Sequence, residues 1–144
     1  MSPSFQYHRR SHRVRSERGE TLVEFAFASV IFFMMVFGTI EFGLAIWNYN
    51  LVSDLAQEGA RFASVHGRNS DSPADQATVA AFVESRSSAL LTGLTITTPG
   101  GSPDTLRAGA VVQVRVDYQL VAGGGLIPSW NIPIFSTARM TVAR

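Results

Sequence analysis

The chain has no cysteine and no lysine, and only 16% of its 144 residues are charged. Ordinary soluble proteins carry about 25%. Without cysteine there is no disulfide framework, no thiolate zinc site and no thiol nucleophile. Scarce charge with 46% hydrophobic residues excludes an intrinsically disordered chain, which needs the opposite balance. A net charge of +1, with basic residues not gathered into one folded patch, excludes a nucleic-acid binder. The sequence has no nucleophile elbow, phosphate loop or metalloprotease helix. Its histidines are His8, His12 and His66, the first two in a basic tail and the third at a predicted helix end. Asp71, Asp75 and Asp104 are oxygen donors of the kind calcium takes, but their spacing matches no calcium loop. We therefore expect no enzyme, no cofactor and no metal site.

What charge there is lies unevenly. Residues 1–19 carry five arginines against Glu17, a net +4, and the rest of the chain carries −3. A long apolar run follows. Phe25–Ile40 contains no formal charge, Glu41 interrupts, and Phe42–Trp47 resumes the run. A spanning helix needs about 20 mainly apolar residues, which Leu22–Trp47 supplies. The rest of the chain is too short to surround so apolar a helix on every face. The arginines before it, and their absence from Asn48–Ala60, put the N-terminus in the cytoplasm and the C-terminal region outside the inner or plasma membrane. The run exceeds an ordinary secretory h-region and ends without a small-residue cleavage site.

The junction Arg18-Gly19-Glu20-Thr21-Leu22-Val23-Glu24-Phe25 carries the most information. Glu24 lies just inside the apolar run, where a carboxylate is expensive, up to ~2.5–3.5 kcal/mol at mid-membrane. Such an acid calls for a partner. If the chain were cut after Gly19, the new α-amine of Glu20 would supply one, about one helical turn away or on a neighbouring subunit. Glu41 lies 17 residues after Glu24, about 25 Å along a helix. The two acids therefore suit opposite edges of the hydrocarbon layer. Glu41 reads either as interfacial or as a charge contact to a neighbouring subunit.

These residues resemble the N-terminal half of TadE-like pseudopilins, from the tight-adherence (Flp) branch of type IV pilus systems. The resemblance rests on Arg18-Gly19, Val23-Glu24-Phe25-Ala26, Phe37-Gly38, Glu41-Phe42-Gly43, Trp47-Asn48-Tyr49-Asn50 and Ala56-Gln57-Glu58-Gly59-Ala60-Arg61-Phe62-Ala63. It implies cleavage after Gly19 by a prepilin peptidase and a role for Glu24 in processing or assembly. It also implies other pilins or pseudopilins, the Tad secretion machinery and membrane lipid as partners. Glu20 departs from the apolar or small residue common just after such cuts.

Beyond Trp47 the apolar positions Leu51, Leu55 and Phe62 continue those of Leu44 and Trp47 at helical spacing, with Asp54, Glu58 and Arg61 on the polar side. One helix is expected over residues 20–65, roughly 70 Å long. Gly59 with Ala56, Ala60 and Ala63 offers a small-residue surface for close local packing. A second helix is expected with Ser72 as N-cap, Pro73 at N1 and Asp75 three after the cap. Its apolar face would be Val79, Phe82, Val83, Leu90 and Leu91, with its end near Gly93.

Three strands are expected: Leu94–Thr98, the alternation Val112 to Leu120, and a last one through Ala138, Met140 and Val142. Gly123 through Pro133 reads as a loop too irregular for a tight hairpin. Trp130 in it is a candidate subunit contact, or else a cover for the sheet edge. The fold class is α+β and pilin-like: a long transmembrane and amphipathic helix, a short helix and a small antiparallel sheet. The expected divisions are a leader at 1–19, a membrane part at 20–47, an amphipathic extension at 48–66 and an extracytoplasmic domain at 67–144.

The functional expectation is a minor pseudopilin, a structural component in assembling a tight-adherence pilus. Major pilins of that branch end soon after the helix, so the ~80 further residues point to a minor subunit. The alternative is an unprocessed bitopic protein whose extracytoplasmic domain is a binding module.

Overall fold

The computed structural model describes residues 17–87, 91, 93–124 and 127–143. The chain divides into two compact units, one ending at Thr39 and the other spanning Ile40–Arg144. Helix α1, Glu17–Val65, contributes to both. In the first unit every described residue is helical, and its large apolar side chains from Leu22 to Phe37 are exposed.

The second unit packs the C-terminal part of α1 with α2 (Gln76–Arg86) and a sheet of β1 (Thr95–Thr97), β2 (Val111–Gly124) and β3 (Ile127–Thr141). The sheet is antiparallel throughout, in the order β1-β2-β3. This is the α+β architecture read from the periodicities. The alternation in β2 buries Val112, Val114 and Val116 against the helices. Val52, Val79, Val83 and Val142 are likewise enclosed. Each such side chain is worth roughly 1.5–3 kcal/mol over an exposed one. The core is thus built of valines around a helix face of small residues.

That face corrects one expectation. The buried stripe of α1 is Val52, Leu55, Ala56, Gly59, Ala60 and Ala63. Leu51 and Phe62 only flank it, while Leu44 and Trp47 are exposed. Small residues win the inward face because they let the sheet approach closely: Val114 Cγ1 would stand 3.1 Å from a Cβ at position 59.

Helix α2 begins later and ends earlier than expected. Its N-cap is Asp75, whose carboxylate accepts from Thr78 N–H at 2.8 Å and Thr78 Oγ1–H at 2.7 Å. Ser72 and Pro73 lie before it in non-helical chain. Tertiary bonds hold Ala74 out of the helix: its N–H donates to the His66 carbonyl and its carbonyl accepts from Asp104 N–H, each at 3.0 Å. At the other end Ser87 is the C-cap, in an extended conformation. Leu91 lies outside the helix and is still buried, whereas Leu90 and Thr92 fall outside the described residues.

The segment expected as an irregular loop is paired in its described residues, Gly125 and Leu126 lying outside them. β2 and β3 remain in register through Leu120↔Ile132 and Ala122↔Trp130, with a bulge before Gly124↔Ile127. Gly123 takes φ +80° at that bulge, a conformation glycine tolerates without strain. Pro128 and Pro133 fit because β3 is an edge strand, where a missing N–H costs no ladder bond.

Candidate functional site

The segment that the sequence marks for processing and assembly is carried on one continuous helix. Gly19, Glu20 and Glu24 all lie in α1 and are exposed. Glu20 and Glu24 are four residues apart and so share a helix face. Around them Leu22, Val23, Phe25 and Phe27 are each more than half exposed. Among the described residues the Glu24 carboxylate has no ion pair or hydrogen bond.

Further along, the polar groups of the apolar stretch turn back on their own helix. Thr39 donates its hydroxyl to the Met35 carbonyl, and Asn48 its amide to the Leu44 carbonyl, both at 2.9 Å. Such self-satisfaction removes the cost of an unpaired donor in an apolar medium. Phe32 meets Phe33 edge to face at a centroid separation of 5.7 Å, and Phe33 lies tilted against Phe37 at 6.3 Å. Glu41 differs from Glu24. It is half-buried and lies eleven residues, three turns, before Val52, on the stripe that faces the core.

Trp130 does not join these residues in a loop. It stands in β3 opposite Ala122 and is 49% exposed. The sequence reading missed the paired hairpin beneath it. The signal was available in the uncharged alternation flanking the glycines, once proline is allowed on an edge strand.

Elsewhere, His66 donates from Nδ1 to the Phe62 carbonyl at 2.8 Å and stacks on Phe62 with centroids 4.1 Å apart. Phe62 stacks in turn on Phe82 at 4.3 Å, and Arg86 lies over the Phe82 ring. Phe62, Phe82 and Arg86, with Glu58, Arg61 and Val65, line an open groove of about 350 Å³. Arg115 makes a bidentate pair with Asp117, which raises its pKa through that hydrogen bond, and lies over Phe135. Asp71, Asp75 and Asp104 do not gather: no three of His, Asp and Glu come together to hold a metal among the described residues.

A helix whose large apolar side chains are exposed from Leu22 to Ile40, and which is long enough to cross a bilayer, fits a single-pass membrane protein. Residues 19–61 of that helix match the family model described as TadE-like protein, in agreement with the resemblance carried by its motifs. The match opens on Gly19 and closes on Arg61, all within α1. The match covers 43 of the 144 residues, and a TadE-like segment points to association with a Tad pilus. No curated protein and no solved structure matches the chain.

Proposed function

We propose that this chain is a minor pseudopilin, an assembly component of a tight-adherence pilus, matured by a prepilin peptidase at Gly19–Glu20. The observation that carries the reading is Glu24, a carboxylate set in the exposed apolar surface of α1, five residues after the glycine on which the family match opens. Cleavage would place the α-amine of Glu20 about one turn from Glu24, or opposite the Glu24 of a neighbour. Either pairing compensates a charge that lipid or a filament core penalises. Gly19 in a helix weakens it by about 1 kcal/mol relative to alanine, which favours local opening at the scissile bond.

In this reading residues 1–19 are a cytoplasmic leader and 20–47 span the inner or plasma membrane. Residues 48–66 extend the helix outward, and 67–144 form the extracytoplasmic domain. Lateral packing of α1 against other pilins or pseudopilins drives assembly. The test is the N-terminal residue of the protein from its native cells, found by mass spectrometry with and without the peptidase. A start at Glu20 that requires the peptidase is the expected result. An intact leader would instead make the chain an unprocessed, membrane-anchored binding module.

A further inference from the structure

From Tyr118 to Ala138 the sequence has no charged residue. The structure folds most of this stretch into the distal half of the β2–β3 hairpin. β1 pairs with β2 only at Arg115–Asp117, so beyond Asp117 the ribbon has two strands and no neighbour at either edge among the described residues. Soluble proteins blunt such edges with charge. This one carries none, and it exposes Val121 at 62% and Trp130 at 49%.

The direction of the hairpin follows from two contacts. Ala143 N–H donates to the Ser64 carbonyl at 2.8 Å, and Val114 packs against Gly59. β2 therefore starts beside the C-terminal end of α1 and runs back along it toward Trp47. From Val114 to Ala122 the strand covers about 26 Å at ~3.3 Å per residue. From Gly59 to Trp47 the helix covers about 18 Å at ~1.5 Å per residue. Laid along the helix, the strand passes Trp47 by about 8 Å, or about five residues, to the level of Glu41 and Phe42. The burial pattern agrees: the shielded stripe of α1 continues past Val52 through the half-buried Asn48, Ala45 and Glu41.

We infer that the far end of the described β2–β3 ribbon, the tip formed by Val121 and Ala122 with Trp130 and Asn131, inserts into the headgroup layer of the same membrane that α1 crosses, with Trp130 and Val121 as anchors. The inference rests on α1 as a membrane span, and not on cleavage at Gly19. Its occupant is a lipid surface. An uncharged ribbon with a half-exposed indole suits an interface where the ring meets acyl chain and its N–H meets water or headgroup. The unpaired edge groups of the ribbon set the depth. They would cost several kcal/mol each in hydrocarbon, so the tip stays at headgroup level.

The chain has two tryptophans, Trp47 and Trp130, which makes the test direct. The full chain is reconstituted in phosphatidylcholine vesicles as Trp47→Phe and as Trp130→Phe, leaving one indole in each. Emission is read against lipids brominated near the headgroup or near the chain end, and against aqueous iodide. Trp47 is 63% exposed, so phenylalanine there leaves the core untouched.

For Trp130 we expect a blue-shifted emission, strong loss with the shallow brominated lipid, weaker loss with the deep one, and little loss with iodide. Quenching by iodide alone would place the tip in water. Quenching by neither would place it against protein, and either result overturns the inference. Trp47 separates the causes. If it is quenched by lipid while Trp130 is not, only the hairpin assignment fails. If Trp47 is also untouched by lipid, the membrane reading of α1 fails with it.

Discussion

Gly59 of α1 and Val83 of α2 meet so closely that a Cβ on residue 59 would stand 2.7 Å from the Val83 Cγ2. The same Cβ would stand 3.1 Å from Val114 Cγ1 on β2. One position thus sets the spacing of both helices and the sheet. Two forces compete there. Alanine favours the helix by about 1 kcal/mol over glycine. Overpacking costs ~1–3 kcal/mol, and valine is stiff at χ1 and gives way poorly. Gly59→Ala is therefore expected to lose about 1 kcal/mol net, and Gly59→Leu more. Urea titration of the full chain in nonionic detergent, followed by circular dichroism, reads the difference. A more stable Gly59→Ala would show that the contact relaxes freely.

Asp75 caps α2, and its pKa lies below the ordinary carboxylate value, chiefly because the Thr78 hydroxyl donates to it, with a further bond from Thr78 N–H. A depressed folded-state pKa contributes stability that is fully present above the unfolded value of about 3.9. That contribution is lost as the pH falls through the folded-state value. Asp75→Ala should lower the melting temperature at neutral pH. Asp75→Asn should keep most of it, since asparagine caps well, and should flatten the acid-side decline. Melting curves from neutral pH down to the carboxylate range check both. An unchanged acid decline in Asp75→Asn would assign that decline to another group.

Phe62 lies between His66 and Phe82 in one stacked row. A fully buried phenylalanine costs ~3–5 kcal/mol on truncation to alanine, and this half-buried one is expected to cost about 2 kcal/mol. Phe62→Leu should recover a large part of that loss by restoring contact with Phe82. Equal losses in both variants would trace the stability to aromatic stacking rather than burial.

Glu24→Gln separates insertion from assembly. The substitution removes the charge and keeps the shape, so membrane insertion should be unchanged or improved. If the chain is cut as proposed, pilus assembly should fall sharply, because the new amine of Glu20 would lose its counter-charge. Fractionation of membranes and electron microscopy of the cells give the two readouts. Normal piliation would remove charge compensation from the mechanism. In Gly19→Ala, unchanged electrophoretic mobility against the wild type would count against a cut at that bond.

The long helix was legible because its cause is local. An apolar run from Leu22 to Trp47 that the chain cannot enclose admits few readings, and Asp54, Glu58 and Arg61 mark where water begins. Strand β2 was legible for the same reason, since the alternation Val112, Val114, Val116 buries one face at period two. The motif around Gly19 and Glu24 was likewise visible in the residues, and the family match covers it.

Tertiary contacts decided what remained. Ser72 and Asp75 are both competent N-caps, and the choice fell to Asp75 because backbone bonds to His66 and Asp104 hold Ala74 out of the helix. The leucine and tryptophan positions and the alanine stripe of α1 both have helical spacing. The small residues turned inward because the valines of α2 and β2 need a close approach. Gly123 to Pro133 carries loop residues by composition, yet its described residues pair as a hairpin because β3 lies at the edge of the sheet and a bulge absorbs the irregularity. Sequence by itself determined where this protein is apolar and where it alternates. Only the packed structure decided which of two adequate faces, caps or turns was used, because that choice depends on contacts between residues far apart in the chain.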